Sequence, residues 1–204
     1  YILTDKAAGV YYLPCALKEA PYVGKTLNTA ISQQQSTVGK MRSNSHVTEA
    51  SFMTVEFDGI QEDDFQSIIQ LNIFNTFLVF SSYSNGNPDK PGRRFRMIVP
   101  LDKAVDDKTY RVIWKQFNTT YCKGLADPSS DKLCQQQGVW STNEQWKDKV
   151  FKCENEGSLV SVDSLLGDNL QVISPVAKND KVYSLKSDAN AIADSCNQIK
   201  LFRD

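Results

Sequence analysis

Residues 52–58 read Phe52-Met53-Thr54-Val55-Glu56-Phe57-Asp58, and the fold turns on their strict alternation. Met53, Val55 and Phe57 fall on one face of an extended chain, Thr54, Glu56 and Asp58 on the other. A period of two, with β-branched and aromatic residues on the apolar side, specifies a strand with one buried and one wet face. Gly59 ends it. Downstream, residues 61–72 carry Phe65, Ile68, Ile69 and Leu71 or Asn72 at helical spacing, with acids in the first turn. Phe77 to Ser81 is a second strand, followed by a Gly/Pro loop over residues 84–92. Arg93 to Pro100 is a third, which the proline is expected to close. Asp106 then caps a helix through residue 118 with Tyr110, Ile113, Trp114 and Phe117 as its apolar stripe. A polar loop (124–137), a short strand near Val139 to Ser141 and a hairpin over 149–162 complete the expected order. Strand–helix–strand–strand–helix is the order of a split βαβ sandwich. The reading is therefore α+β, an RRM-like, antiparallel-leaning sheet with helices on one face.

The chain has 204 residues, with 41% hydrophobic and 23% charged side chains and a formal net charge of -1. These are the proportions of a chain with a real core, and no apolar run approaches the roughly 18–20 residues of a membrane span. Residues 1–166 are expected to form the main domain and 167–204 an extension or the start of an accessory segment. Residues 24–48, rich in Ser, Thr, Asn, Gln and Gly, read as a polar connection or an irregular helix. The chain starts at Tyr1 with no signal-peptide pattern, and reads as a domain cut from a longer protein. Its single histidine, His46, excludes HExxH metalloproteases and two-histidine metal triads, and its polar neighbours make it a surface or loop residue. Five cysteines, an odd number without a close CxxC pair, fit a reducing compartment and hence the cytoplasm.

Glu56 and Asp58 leave the same strand face about 6.6–6.8 Å apart along the backbone. Carboxylates converging from a rigid strand suit Mg²⁺ or Mn²⁺, which take oxygen ligands. An amphipathic strand with a wet face gives the same alternation. Lys90, Arg93, Arg94 and Arg96 form the densest basic cluster, with Arg94 and Arg96 on one strand face and Phe95, Met97 and Val99 on the other. Two adjacent guanidiniums fit a triphosphate or a nucleic-acid backbone, or else protect an exposed strand by charge. Ser82, Ser84 and Asn85 are candidate phosphate donors or ordinary turn residues. Asp127, before Pro128, is a third candidate carboxylate or a turn starter.

In order, these pieces are TVEFDG (54–59), SSYSN (81–85), GRRFRMIVPLDKAVDDKTY (92–110) and GLADPSSDKLCQQQGVWST (124–142). Together they resemble the primase-polymerase domain of the archaeo-eukaryotic primase superfamily, in the form carried by plasmid and phage replication proteins. The resemblance covers about residues 50–165, and Arg93–Tyr110 is its most specific stretch. It implies a DNA primase/polymerase that transfers nucleotides on a single-stranded DNA template by two-metal chemistry with Mg²⁺ or Mn²⁺. Glu56, Asp58 and Asp127 would be the catalytic and metal-binding carboxylates. Ser82, Ser84, Asn85, Arg94 and Arg96 would bind the NTP or dNTP, and a helicase domain in the same full-length chain is compatible with it. Three positions depart from the family pattern: Glu56 stands where Asp is usual, Asn85 where the second motif has histidine, and Gln where an arginine is expected near residues 135–137. The alternative is a catalytically weak or inactive nucleic-acid- or nucleotide-binding replication initiator module.

Overall fold

A computed structural model describes residues 2, 3, 6 and 9–167. Apart from Gly167, the expected extension lies outside them, as does Cys196. In chain order the elements are β1 (Ile2–Leu3), β2 (Tyr11–Tyr12), β3 (Ala16–Leu17), β4 (Ala20–Pro21), α1 (Gly24–Ser32), β5 (Val38–Gly39) and β6 (Val47–Ile60). Then follow α2 (Glu62–Leu71), β7 (Phe77–Ser81), β8 (Arg93–Val105), α3 (Asp107–Tyr121), β9 (Gln137–Gly138), β10 (Thr142–Asn143), β11 (Lys152–Asn155) and α4 (Val162–Leu166). The fold is α+β. A five-stranded antiparallel sheet in the order β11-β7-β8-β6-β3 is its centre.

The buried half of the alternation in residues 52–58 is realised on β6, where Met53, Val55 and Phe57 are buried against Phe95, Met97 and Val99 of β8; on the face expected to be wet, Thr54 is fully buried under Tyr12. Helices α2 and α3 cover this face through Phe65, Ile68, Ile69, Tyr110, Ile113 and Phe117. Each such side chain taken from water contributes roughly 1.5–3 kcal/mol before conformational entropy is set against it. Asp106 caps α3 as expected, its side chain accepting from the Thr109 N–H at 2.8 Å.

Several local expectations are corrected. The third strand does not stop at Pro100 but runs on to Val105. Pro100 lies beyond the pairing with β7, which ends at Leu78↔Ile98, and directly before a register shift against β6. A missing N–H is tolerated there, and the Pro100 carbonyl accepts from Val160 N at 3.1 Å. Residues 149–162 do not form a hairpin: β11 adds to the sheet edge beside β7, while Ser158 and Val160 make isolated parallel bridges to Asn75 and Leu101. The strand expected near Val139 to Ser141 is instead split into β9 and β10 on either side. His46 is fully buried, its ring hydrogen-bonded by Ser43, Ser45 and the Ala20 carbonyl.

Cys15, Cys122 and Cys134 are free thiols, and burial pushes Cys15 up to about 11. Among the described residues no helix is long and apolar enough to cross a membrane.

Candidate nucleotide site on the open sheet face

The sheet face opposite the helices carries Thr54, Glu56 and Asp58 of β6 and Arg94, Arg96 and Ile98 of β8. Glu56 and Arg96 are direct cross-strand partners and form an ion pair. Beyond Phe57↔Phe95 the register shifts, and this bulge lets Arg94 reach Asp58, Nη1 to Oδ1 at 2.8 Å. Two glycines make the bulge possible. Gly59 and Gly92 both adopt positive φ (76° and 83°), and a Cβ on Gly92 would lie 2.5 Å from the Gly59 carbonyl carbon. Gly92→Ala is therefore expected to lower stability by about 1–3 kcal/mol, read as a lower denaturation midpoint, and to separate Arg94 from Asp58.

Between Thr54 and Glu56 the outer edge of β6 lies beyond the end of β3, and other groups satisfy its backbone. Tyr110 Oη and the Trp114 indole N–H lie 3.5 and 3.4 Å from the Thr54 carbonyl. Asp127 N donates to the Glu56 carbonyl at 2.8 Å, and Glu56 N donates to Ser130 Oγ at 3.2 Å. The Asp-Pro-Ser loop is thus pinned to the strand that carries the carboxylates. Ser130 Oγ donates to the Asp127 carbonyl, and the Asp127 carboxylate accepts from Ser129 N at 2.8 Å, capping a short 3-10 helix, Pro128–Asp131.

A third wall comes from far along the chain. Strands β2 and β9 pair antiparallel, Tyr11 with Gly138 and Tyr12 with Gln137. Gln137 Oε1 accepts from Arg96 Nε at 3.0 Å, tying this wall to β8. Tyr12 Oη is 3.2 Å from Thr54 Oγ1, and burial holds its phenol above the usual value. Between this wall and the sheet lies a cleft of about 210 Å³.

Glu56, Asp58 and Asp127 line this cleft, as do Arg94 and Arg96, with Ser82 and Ser84 from the loop after β7. Asn85 does not. Its side-chain amide donates to the Lys149 carbonyl at 2.6 Å and its Oδ1 accepts from Arg94 N at 2.9 Å, so it clamps the loop to β8. Among the described residues no three His, Cys, Asp or Glu side chains converge on one point, so the expected three-carboxylate set is brought to one cleft but not to one centre. Glu56 and Asp58 are oxygen donors of the type a divalent ion takes, and each is paired with an arginine, Arg96 and Arg94 respectively. Ser82 Oγ is buried with no hydrogen-bond partner among the described residues, an unsatisfied polar atom that a ligand oxygen in the cleft would satisfy.

Arg93, although in the basic cluster, does not line the cleft. It pairs with Glu62, and its guanidinium lies 4.5 Å from the Phe65 ring centre and 4.8 Å from that of Phe151. The hydrogen bond from Arg93 holds the Glu62 carboxyl below its ordinary value of 4.5. A lowered folded value means that the pair stabilises the fold above pH 4.5 and loses that contribution as pH falls through the folded value. Glu62→Gln is expected to flatten the acid limb of a urea-midpoint-versus-pH curve in that window.

Lys6, Tyr11 and Lys90 line the cleft and were not among the expected site residues. Lys90 was visible in the basic cluster. Lys6 and Tyr11 had no local signal, because only the long-range pairing of β2 with β9 brings them there.

No family model and no curated protein matches the chain. Among solved structures it is similar to the AEP domain of the Cyanophage S-2L Primase-Polymerase (PrimPol), with 13% identity, a TM-score of 0.45, and coverage of 72% of this chain and 77% of that one. At that TM-score the likeness carries no argument about activity.

Proposed function

We propose that the cleft is the active site of a primase-polymerase-type nucleotidyltransferase, which adds NTPs or dNTPs along a single-stranded DNA template in plasmid or phage replication. One observation carries this reading. Two carboxylates from β6, two arginines from β8, two serines from the loop after β7 and Asp127 from a second loop share one cleft on an open sheet face. That is the mixture a phosphoryl-transfer site needs, oxygen donors for a cation beside cations for phosphates.

Mg²⁺ or Mn²⁺, held by Glu56 and Asp58 with Asp127 nearby, would supply charge neutralisation and activation of the attacking hydroxyl. In the free protein Arg94 and Arg96 balance the carboxylates. With nucleotide bound, these guanidiniums turn their remaining N–H groups to phosphate oxygens, and Ser82 Oγ gains its missing partner. Gln137 keeps Arg96 oriented through its Nε while the outer nitrogens engage ligand.

A second reading is a replication module that binds nucleic acid or nucleotide without transferring it. It is favoured by Asn85, whose side chain is occupied by Lys149 and the Arg94 backbone and brings no group to the cleft. Metal dependence separates the two readings. The chain is incubated with single-stranded DNA and labelled NTPs or dNTPs, with Mn²⁺ or Mg²⁺ and again with a chelator. Elongated product that disappears with the chelator supports the transferase. Salt-sensitive DNA binding without product under any metal favours the binding module.

A further inference from the structure

We propose that Tyr11 is the surface on which the base of the incoming nucleotide stacks, an inference that rests on the nucleotide reading of the cleft. The floor is polar and charged, formed by Glu56, Asp58, Arg94, Arg96 and Ser82. The whole cleft, the β2 wall included, measures about 210 Å³, below the roughly 300 Å³ at which ligand pockets begin, so a nucleotide fits only by extending along a wall toward the opening. With phosphates and a cation at the charged floor, the nucleoside lies along the β2 wall. There the lining turns apolar, with Val10 and Tyr11 exposed by 54% and 38%.

The ring is fixed before any ligand arrives. Its strand pairs with β9, Val139 N donates to the Val10 carbonyl at 3.0 Å, and Tyr11 Oη donates to the Lys6 carbonyl at 2.8 Å. A rigid, half-open aromatic loses little entropy when a planar group stacks on it. The residue opposite it is Gly138, whose φ is not positive, so no backbone strain calls for glycine at this position. A Cβ there would lie 3.7 Å from the Tyr11 ring and 3.7 Å from Arg96 Nη1. The absent side chain leaves open the space between the aromatic ring and the guanidinium, and a nucleotide with its phosphates at Arg96 has its base within reach of Tyr11.

The test compares two ligands on the full chain by calorimetry with Mn²⁺: a nucleoside triphosphate and inorganic tripolyphosphate, which has no base. Tyr11→Ala is expected to weaken the nucleoside triphosphate about tenfold while leaving tripolyphosphate unchanged, and Tyr11→Phe, which keeps the stacking ring but loses the Lys6 hydrogen bond, is expected to lose clearly less than Tyr11→Ala for the nucleoside triphosphate and nothing for tripolyphosphate. An equal loss for both ligands would mark Tyr11 as structural and overturn the proposal, as would no loss for either. A loss confined to a single-stranded oligonucleotide, measured in parallel, would overturn it in favour of a template base. If wild type binds neither phosphate ligand, the nucleotide reading fails and takes this inference with it. If wild type binds both and Tyr11→Ala changes nothing, only the stacking role fails.

Discussion

Replacing Glu56 with Gln and Asp58 with Asn together is expected to reduce metal-dependent nucleotide incorporation by at least about 10²-fold, with single-stranded DNA still bound. Even removal of a group that only orients a metal ligand costs 10- to 100-fold, and here the two candidate ligands lose their charge outright. Isosteric amides are preferred to alanine because the Arg96 side chain is only 12% exposed and that of Glu56 15%. An alanine would leave a largely buried guanidinium beside a void, and lost activity would then be confounded with lost stability. An amide oxygen still accepts from Arg96 and from Arg94, so the strand pair should hold and the thermal midpoint should move little. The variant also raises the net positive charge of the cleft, so DNA affinity at low salt should rise or stay level. Incorporation at the wild-type rate by a folded double variant would remove these carboxylates from the chemistry and with them the proposed active site.

The central sheet was legible because its signal is local. The alternation in residues 52–58 and in Arg94–Val99 fixes which face each side chain takes, and Asp106 before Tyr110, Ile113 and Phe117 marks a capped helix by type and spacing alone. That Glu56, Asp58, Arg94 and Arg96 share a face also followed from period two, once β6 and β8 were neighbours. What was not legible depends on partners distant in sequence. Strands of two residues such as β2 and β9 have no periodicity to read, yet their pairing builds one wall of the cleft. His46 sits among Ser43, Ser45 and Ala20, so polar neighbours that suggested exposure in fact satisfy a buried ring. From its place after a strand Asn85 reads as a phosphate donor or an ordinary turn residue, and the resemblance favours the first. Its inward turn is set by the Lys149 carbonyl, 64 residues away, which no local pattern announces.

Phe95→Ala is expected to destabilise the protein by about 3–5 kcal/mol, a large part of the 5–15 kcal/mol that holds a typical domain together. The Phe95 ring stacks on Phe57 at 4.4 Å between centres and meets the edges of Phe65 at 5.0 Å and Phe151 at 6.1 Å. It is 1% exposed, at the point where β6, β8 and α2 meet, so truncation leaves a cavity that three rings on separate elements cannot close together. The effect should reach the other sheet face. Phe95 lies between Arg94 and Arg96, and its burial decides that both guanidiniums point into the cleft. Phe95→Leu, which retains much of the buried area, should lose markedly less in denaturant titrations and keep nucleotide affinity. If Phe95→Ala lost no more than 1 kcal/mol, the aromatic cluster would not be the element that locks β8 in register. The cleft arginines would then be held from their own side, by Glu56, Asp58 and Gln137. If the loss is large and affinity falls only in proportion to the unfolded fraction, the apolar face sets the register and the ion pairs follow from it.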